Sequence, residues 1–265
     1  MDVKALFSLS GKVIVATGAT GYLCRHFIEA CAQAGAAMVA IDRKGTEGRL
    51  EALCEESGQR YGVPVSFHVT DIADEEGVKE VVQAVTERSG HIDGLINAAG
   101  INIHGHIEDY TIEDYERLMQ VNVCGTFAMC KHFGAVMCRA KKGSIVNIAS
   151  FCGTVINKPP RTMSGYCTSK AAVLHMTRAI AGEYGEHGVR CNSVSPGWLE
   201  RGMSNVKNFV QLSDPSIFQD SLDHTPMHRV GRPDELVGAV VYLLADASSY
   251  TTGIDMVIDG GYQIW

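Results

Sequence analysis

Short apolar runs alternate with helical segments from one end of the chain to the other. In the first unit, the predicted strand Val13–Ala16 is followed by a glycine-rich turn and by a helix predicted from Tyr22 to Ala34, where apolar residues recur at helical spacing. Six further strands are predicted at Met38–Ile41, Val65–Val69, Gly94–Asn97, Ser144–Ile148, Cys191–Val194 and Met256–Ile258. The helices between them are predicted at Gly48–Tyr61, Glu75–Arg88, Asp114–Val123, Gly125–Arg139, Ser164–Tyr184 and Pro233–Leu244. Apolar strands alternating with helices indicate an α/β fold with a doubly wound parallel sheet and helices on both faces.

One stretch breaks this alternation. No linker, repeat or low-complexity tract divides residues 1–265, which predicts a single domain. Residues 198–229, however, are mixed in polarity, contain Pro215 and Pro226, and follow a predicted strand end. Because ligands of open α/β sheets bind beyond the carboxyl ends of the strands, we expect this irregular segment to be a substrate lid.

Composition excludes several classes of protein. The chain is 46% apolar and 20% charged, which is ordinary for a globular domain and excludes disordered, collagenous and coiled-coil chains. Its net charge of −7, without a basic stripe, makes nucleic acid an unexpected partner. The apolar stretch Ala34–Ile41 is too short to span a membrane and no signal sequence precedes it. Nine scattered cysteines without a Cys-x-x-Cys pair argue against disulfides or zinc, and we expect a cytoplasmic protein.

The turn after the first strand is a candidate nucleotide site. In Thr17–Gly21, small residues at a helix start let backbone N–H groups approach a pyrophosphate, although a merely tight turn is the alternative. Asp42 ends the second strand, close to the ~20-residue distance expected for an acid that binds the adenosine ribose. A carboxylate there repels a 2′-phosphate, which favours NAD. Arg43 beside it keeps NADP as the less favoured alternative, and Asp71 at the third strand end either contacts adenine or lies in a surface turn.

A second set of residues carries acid–base chemistry. Tyr166 and Lys170 are four residues apart on one predicted helix face, where a nearby ammonium favours the phenolate and makes the phenol usable near neutrality. A solvated helix face is the alternative. Ser150 follows a strand directly, so its hydroxyl can bind a carbonyl or alcohol oxygen, or else cap a turn. Asn97 ends another strand, and Asn122 lies in a helix among valines, where a buried amide needs water or backbone as a partner.

These residues resemble those of the short-chain dehydrogenase/reductase family over essentially the whole chain. The matching motifs are Thr17-Gly18, Asp42, Asp71, Asn97-Ala98-Ala99-Gly100, Asn122, Ser150, Tyr166 with Lys170, Ser195-Pro196-Gly197, Gly231-Arg232-Pro233 and Asp259-Gly260-Gly261. The resemblance implies a single Rossmann domain, usually assembled as a tetramer, that transfers hydride between a nicotinamide and a carbinol carbon. It also implies that Tyr166 is the acid/base, that Lys170 lowers its pKa and holds the nicotinamide ribose, that Ser150 positions the reacting oxygen, and that Asn122 supports a water relay.

The resemblance also implies a set of cofactor-binding residues. They are Gly18, Thr20, Gly21, Tyr22, Leu23, Asp42, Arg43, Asp71, Ile72, Asn97, Ala98, Ala99, Gly100, Tyr166, Lys170, Pro196, Gly197 and Leu199. The chain departs from the family pattern at Tyr22 and Cys24, which replace glycines and put cofactor affinity in question. Arg201 stands where the family often has threonine, and the Ser150–Tyr166 separation is longer than usual.

Substrate identity depends on peripheral residues. His104, Arg161 and Arg201, with Lys158 and His106, belong to segments that should border the pocket, where they either attract an anionic substrate or are solvated loop charges. His104-x-His106 has no evident third ligand, so no metal is expected. The ending Gly261–Trp265 resembles that of polyol and sugar dehydrogenases.

We therefore predict an NAD-dependent dehydrogenase or reductase acting on a secondary alcohol/ketone pair of a polyol, sugar or sugar acid. An NADPH-dependent 3-oxoacyl reductase is the first alternative, which Asp42 disfavours. A catalytically idle nucleotide-binding scaffold is the second, motivated by the altered glycine turn and disfavoured by the intact serine, tyrosine and lysine.

Overall fold

A computed structural model of the chain describes residues 2–156, 163–200 and 215–265. Within these residues, seven parallel strands form one sheet in the order β3-β2-β1-β4-β5-β6-β7. The strands are β1 (Val13–Thr17), β2 (Ala37–Asp42), β3 (Val65–Val69), β4 (Gly94–Asn97), β5 (Gly143–Ile148), β6 (Val189–Pro196) and β7 (Asp255–Ile258). The order reverses between β1 and β4, so the connections leave these two neighbours in opposite directions and open a crevice at their carboxyl ends.

Helices cover both faces of the sheet, as predicted. They are α1 (Val3–Leu6), α2 (Cys24–Gln33), α3 (Glu47–Tyr61), α4 (Glu75–Ser89), α5 (Ile112–Met119), α6 (Thr126–Ala140), α7 (Ser164–Tyr184), α8 (Pro215–His224) and α9 (Asp234–Leu244). Side chains of β1 alternate between two cores: Ile14 packs with Phe27 of α2, whereas Val15 packs with Phe133 of α6. This two-sided burial explains why all of β1 is apolar or small. The predicted α/β Rossmann arrangement is confirmed.

The helical connection after β4 differs from the prediction. The sequence suggests two helices separated near Val123, but α5 and α6 are joined by a π-helical turn, Gln120–Gly125. A π-turn inserts one extra residue into a helix and redirects its side chains, and such turns are frequent at functional sites. Asn122 lies in this turn and is 1% exposed.

The segment predicted to be an irregular lid is partly regular. It contains α8, which begins at Pro215, a residue that suits the first helical position because its missing N–H has no partner there. The flanks of the segment meet in a parallel bridge between Leu199 and Gly231, where Gly231 N donates to Trp198 O over 2.8 Å. Residues 201–214 lie outside the described part of the chain, and the lid stays a prediction. Among the described residues, no helix is long and apolar enough to cross a bilayer.

Candidate active site

The glycine turn after β1 presents bare backbone at the crevice. Gly18 has φ +68°, and a Cβ there would lie 2.8 Å from the Cα of Ala99; a Cβ on Gly21 would lie 2.8 Å from Gly18 O. Thr17 Oγ1 accepts hydrogen bonds from the backbone N–H groups of Ala98 and Ala99, each 3.2 Å away. The sequence analysis did not predict this role of Thr17, although a hydroxyl residue at the end of a strand could have indicated it. The turn fits a group that must approach the backbone closely, as a pyrophosphate does.

Asp42 is bound to the same turn. Its Oδ2 accepts hydrogen bonds from Thr20 N at 2.9 Å and from Thr20 Oγ1 at 2.7 Å, and its Oδ1 accepts one from Arg43 N at 2.8 Å. The carboxylate therefore lies at the end of β2 beside the turn after β1, where a ribose hydroxyl could also donate to it. Arg43 is exposed, and it contributes only its backbone N–H to these bonds.

The two residues that replace glycines in the turn have separate environments. Cys24 is 1% exposed and packs in the core with Phe27, so it does not project into the turn. Burial raises the pKa of its thiol well above the ordinary value. Tyr22 is half-buried, and its ring contacts His26 edge-on with 5.7 Å between centroids. Leu23 precedes α2 and makes no side-chain capping bond.

The segment after β3 carries two of the predicted cofactor-binding residues, Asp71 and Ile72. Asp71 is exposed two residues beyond β3, and its Oδ1 accepts from Ala73 N at 3.0 Å. Ile72 is buried against the π-turn, where a Cβ on Gly125 would lie 2.7 Å from its Cγ1. Asp71 therefore lies in a surface turn, which is one of the two alternatives that the sequence left open. Ile72 packs against the π-turn.

Asn97 uses its side chain inside the protein. Its Nδ2 donates to Asn147 Oδ1 at 2.8 Å and to Cys130 Sγ at 3.2 Å, and Asn147 Nδ2 in turn donates to Thr177 Oγ1 at 2.9 Å. Because Asn97 is 3% exposed, the backbone of Ala98–Gly100 is the part of this loop that a ligand could reach. Sequence reasoning missed Asn147, whose signal was an amide in the middle of an apolar strand.

The end of β6 closes the other side of the crevice. A Cβ on Gly197, which follows Pro196, would lie 2.5 Å from the Cα of Asp259, so the two backbones are in contact. Asp259 holds the chain end by accepting from Gly261 N at 2.8 Å and Gln263 N at 3.0 Å. Leu199 follows in the bridge to Gly231.

Ser150, Tyr166 and Lys170 come together at the carboxyl end of β5. The Ser150 hydroxyl lies near the Tyr166 phenol and acts to lower its pKa. Lys170 Nζ donates to Ile148 O at 2.8 Å and lies 5.6 Å from the centroid of the Tyr166 ring. All three side chains are less than one-tenth exposed. A phenol, a hydroxyl and an amine held together in a buried pocket are suited to moving a proton to or from a substrate oxygen.

Burial governs the protonation of this group. It raises the pKa of Tyr166 well above the ordinary value, and the hydrogen bond from Ser150 opposes that rise. Burial also lowers the pKa of Lys170 to about 8. Desolvation of the phenolate is thus the largest effect on the pKa of Tyr166 in this structure, and the lowering of that pKa by Lys170 stays a prediction.

Asn122 joins the loop after β4 to α7. Its Nδ2 donates to Ile101 O at 2.9 Å and to Ser169 Oγ at 3.0 Å, and its Oδ1 accepts from Ile101 N at 2.8 Å. Ser169 Oγ donates to Tyr166 O at 2.8 Å. The buried amide therefore has backbone and hydroxyl partners, and Ser169, which sequence reasoning missed, connects it to the turn that carries Tyr166. Gly100 lies alongside, since a Cβ there would be 3.7 Å from Lys170 Nζ.

An aromatic wall adjoins these groups. Phe151, directly after Ser150, packs against Trp198 and Tyr262 with ring centroids 5.4 Å and 4.9 Å apart. Tyr262 also meets His224 of α8 at 4.8 Å, and Trp265 Nε1 donates to His224 O at 3.0 Å. The C-terminal segment therefore folds back against the residue that follows Ser150.

Most of the residues predicted to contact the substrate lie outside the part of the chain that the structure describes. Arg161, Arg201 and Lys158 lie outside the described residues. His104 is at the loop surface, its Nε2 3.3 Å from Asn102 Nδ2, and burial lowers its pKa, which weakens any positive field from this side chain. In the described ranges, no three His, Cys, Asp or Glu side chains form a group that could hold a metal ion.

Comparison with known proteins identifies the family. Residues 19–263 match a family model described as "Enoyl-(Acyl carrier protein) reductase". A short-chain type dehydrogenase/reductase from Mycobacterium marinum has a similar crystal structure, with a TM-score of 0.88 and 33% identity over 100% of both chains. The chain belongs to the short-chain dehydrogenase/reductase family. It is thus a nicotinamide-dependent oxidoreductase of CH–OH groups.

Two relatives of known name are similar over nearly the full length. Galactitol 2-dehydrogenase (L-tagatose-forming) of Cereibacter sphaeroides is 35% identical over 269 residues, covering 100% of both chains. NADP-dependent mannitol dehydrogenase of Hypocrea jecorina is 37% identical over 259 residues, covering 97% of this chain and 94% of its own.

Proposed function

We propose that this family member oxidises a secondary alcohol of a polyol, sugar or sugar acid, or reduces the corresponding ketone, with NAD(H). The observation that carries the proposal is the group of three buried side chains, Ser150, Tyr166 and Lys170, at the same edge of the sheet as the glycine turn. This arrangement supplies a proton donor and acceptor next to the place where a dinucleotide fits.

The crevice residues fit NAD. The bare backbone at Gly18 and Gly21 would hold the pyrophosphate, and the carboxylate of Asp42 would accept from the adenosine ribose and repel a 2′-phosphate. The backbone of Ala98–Gly100 and the residues Pro196 and Gly197 would line the remaining length of the cofactor. One relative is named as NADP-dependent, so the preference for NAD rests on Asp42 rather than on kinship.

The chain's own residues hold and move the proton. Tyr166 Oη takes the proton from the substrate hydroxyl during oxidation and returns it during reduction. Ser150 donates a hydrogen bond to the substrate oxygen, and Lys170 supplies a nearby donor. Asn122 keeps the Gly100–Ile101 loop in position against α7. A bound nicotinamide supplies the hydride chemistry.

A polyhydroxylated substrate fits the surroundings best. The two relatives are named for galactitol and mannitol, and the aromatic wall of Phe151, Trp198 and Tyr262 offers flat surfaces to a sugar chain. We keep His104, Arg161 and Arg201 as proposed contacts for an acidic group. The alternatives of a 3-oxoacyl reductase and an idle scaffold are not favoured by these relatives.

We also propose a cytoplasmic homotetramer. All nine cysteines are free thiols, which is usual in a reducing compartment. Ile112 and Phe127 are 73% and 52% exposed on α5 and α6, and covering such apolar side chains with another copy of the chain would be favourable. Sedimentation of the purified chain tests this assembly.

The function is tested by nucleotide absorbance with purified protein, NAD or NADP, and a panel of polyols, sugars, sugar acids and hydroxyacyl compounds. We expect NAD reduction with a polyol or sugar acid. Tyr166→Phe should lower turnover by about 10²–10⁴-fold while nucleotide binding, followed by fluorescence, is kept. Full activity in Tyr166→Phe would contradict the assignment of the acid/base. Bound NADH without turnover on any substrate would favour the idle scaffold.

A further inference from the structure

One polar side chain near the candidate active site has an unused acceptor. Asn102 lies in the loop after β4, two residues beyond Gly100, where an added Cβ would lie 3.7 Å from Lys170 Nζ. The residue as a whole is half-buried, but its Oδ1 is closed off from solvent and has no hydrogen-bond donor among the described residues. An acceptor removed from water without a partner costs free energy, so a donor is expected there, either from the chain or from a ligand.

The other end of the same amide is already in use. Asn102 Nδ2 lies 3.3 Å from Met163 Sδ and 3.3 Å from His104 Nε2. A thioether sulfur can only accept, and burial lowers the pKa of His104, which favours a neutral imidazole with one acceptor nitrogen. Both contacts therefore require the amide nitrogen on that side, and the oxygen is the end that lacks a partner.

The contact with Met163 places Asn102 beside the proposed acid/base. Met163 directly precedes α7 and is 7% exposed, and it belongs to one buried apolar cluster with Tyr166, about one helical turn further on. Ile101 and Ile103, the two neighbours of Asn102 along the chain, pack against the same cluster. The Asn102 amide therefore lies among the residues that surround Tyr166.

A tyrosine holds this loop against the start of α7. The Tyr110 hydroxyl donates to Ile103 O, and the Tyr110 ring packs on Gly165, where an added Cβ would lie 3.0 Å from Cε1 of that ring. Gly165 is the second residue of α7, the helix that carries the proposed acid/base. The position of Asn102 is thus fixed by the rest of the protein before any substrate binds, as a selective binding group requires.

We propose that Asn102 is a specificity-determining residue, whose Oδ1 accepts a hydrogen bond from a substrate hydroxyl other than the one that is oxidised. This inference rests on the proposed function and specifies that the substrate carries a second hydroxyl near the reacting carbon. The terminal torsion of an asparagine is soft, so a rotation of the amide brings Oδ1 to a bound hydroxyl.

The chemistry of the acceptor selects the group that it binds. An amide oxygen only accepts, so it pairs with a hydroxyl, whereas an ionised carboxylate or phosphate would face it with lone pairs alone. An acyl chain without hydroxyls would leave the oxygen unpaired, and a site that loses a buried hydrogen bond discriminates strongly against such a substrate. Asn102 therefore favours polyols, sugars and the hydroxylated part of sugar acids over 3-oxoacyl compounds.

The test measures kcat/KM of the full chain for the polyol that it oxidises fastest, starting with galactitol and mannitol, and for the monodeoxy analogues of that polyol. Asn102→Leu removes the amide at similar size. Asn102→Asp keeps an acceptor oxygen but loses the two contacts of Nδ2. Glu108→Ala is the matched control, because Glu108 is an exposed residue of the same loop.

In the wild type, loss of one particular hydroxyl should lower kcat/KM by about tenfold or more. In Asn102→Leu the intact polyol should lose the same factor and the deoxy analogue should not, so that the two become equal substrates. Asn102→Asp and Glu108→Ala should keep the wild-type preference, and all variants should keep the wild-type Kd for NADH. Asn102→Ala replaces the leucine variant if that chain does not fold.

Two results overturn the inference and leave the proposed function intact. One is an unchanged preference among the analogues in Asn102→Leu. The other is an equal loss of preference in Asn102→Asp, which would assign the effect to the contacts of Nδ2. Turnover of 3-oxoacyl compounds without turnover of any polyol, sugar or sugar acid would overturn the proposed function together with this inference.

Discussion

Lys170 Nζ donates a 2.8 Å hydrogen bond to the carbonyl oxygen of Ile148, the last residue of β5. This bond ties the helix that carries Tyr166 to the strand that ends just before Ser150. The side chain predicted to tune the phenol therefore also sets the distance between helix and strand. Loss of the amine should affect both the electrostatics and the geometry of the site.

Replacing Lys170 should change how stability depends on pH. Its pKa is about 8 in the folded chain, against an ordinary value of ~10.4 in the unfolded chain. Between these values the unfolded chain binds more protons, so the free energy of unfolding rises with pH. The cost of burying the ammonium is present below about 8 and is lost as pH rises toward the ordinary pKa.

In Lys170→Met this rise, of up to about 3 kcal/mol, should be absent. Urea unfolding of both proteins at several pH values across the interval measures it. Other groups titrate equally in the two chains, so the difference between them isolates Lys170. A difference that does not change with pH would contradict the buried, depressed amine.

Alanine at Gly18 should weaken nucleotide binding. The residue has φ +68°, and the added Cβ would lie 2.8 Å from the Cα of Ala99. Gly11 provides the matched control, because it has φ +76° with nothing within 4 Å of an added Cβ. Both variants carry the left-handed backbone cost of about 1–2 kcal/mol, but only Gly18→Ala also displaces the loop. Fluorescence titration with NADH should show a Kd at least tenfold higher for Gly18→Ala but not for Gly11→Ala. Equal affinities of the two variants would contradict the role of the glycine turn in nucleotide binding.

Asp42 should decide the choice between NAD and NADP. In Asp42→Asn the negative charge is lost, and the ratio of kcat/KM for NADP over NAD should rise by about tenfold, the equivalent of ~1.4 kcal/mol. Thr20→Val is the control, since it removes the 2.7 Å hydroxyl bond to Asp42 and leaves the charge. That control should weaken both nucleotides alike. An unchanged ratio in Asp42→Asn would place the origin of cofactor preference elsewhere.

The polar cluster around Asn147 should contribute to stability. Asn147 is fully buried, accepts from Asn97 Nδ2 and donates to Thr177 Oγ1. Asn147→Ala removes the acceptor of Asn97 Nδ2 and the donor to Thr177 Oγ1 and opens a cavity, for an expected loss of about 2–4 kcal/mol in urea unfolding. Thr177→Val removes the acceptor of Asn147 Nδ2 and the bond of Thr177 Oγ1 to Val173 O without opening a cavity, and should cost about 1 kcal/mol. If the two variants unfold alike, the cluster does not act through Asn147.

Local patterning was enough to predict most of the fold. The strand Val13–Ala16 and the helix Ser164–Tyr184 are found within a residue of their predicted bounds, because a parallel strand buried on both faces must be apolar throughout and a long helix has a strong repeat. The π-turn at Asn122 was not predictable in this way, since an extra residue within a helix leaves no periodic signal. The helix beginning at Pro215 was missed because its residues are mixed in polarity.

The order of elements, the glycine turn and the candidate residues Ser150, Tyr166 and Lys170 could be read from the amino-acid sequence, since they follow from neighbours along the chain. The pKa shifts of Tyr166 and Lys170 depend on the tertiary structure. Desolvation depends on everything packed around a group, and it raises the pKa of Tyr166 where helix spacing alone predicted the opposite.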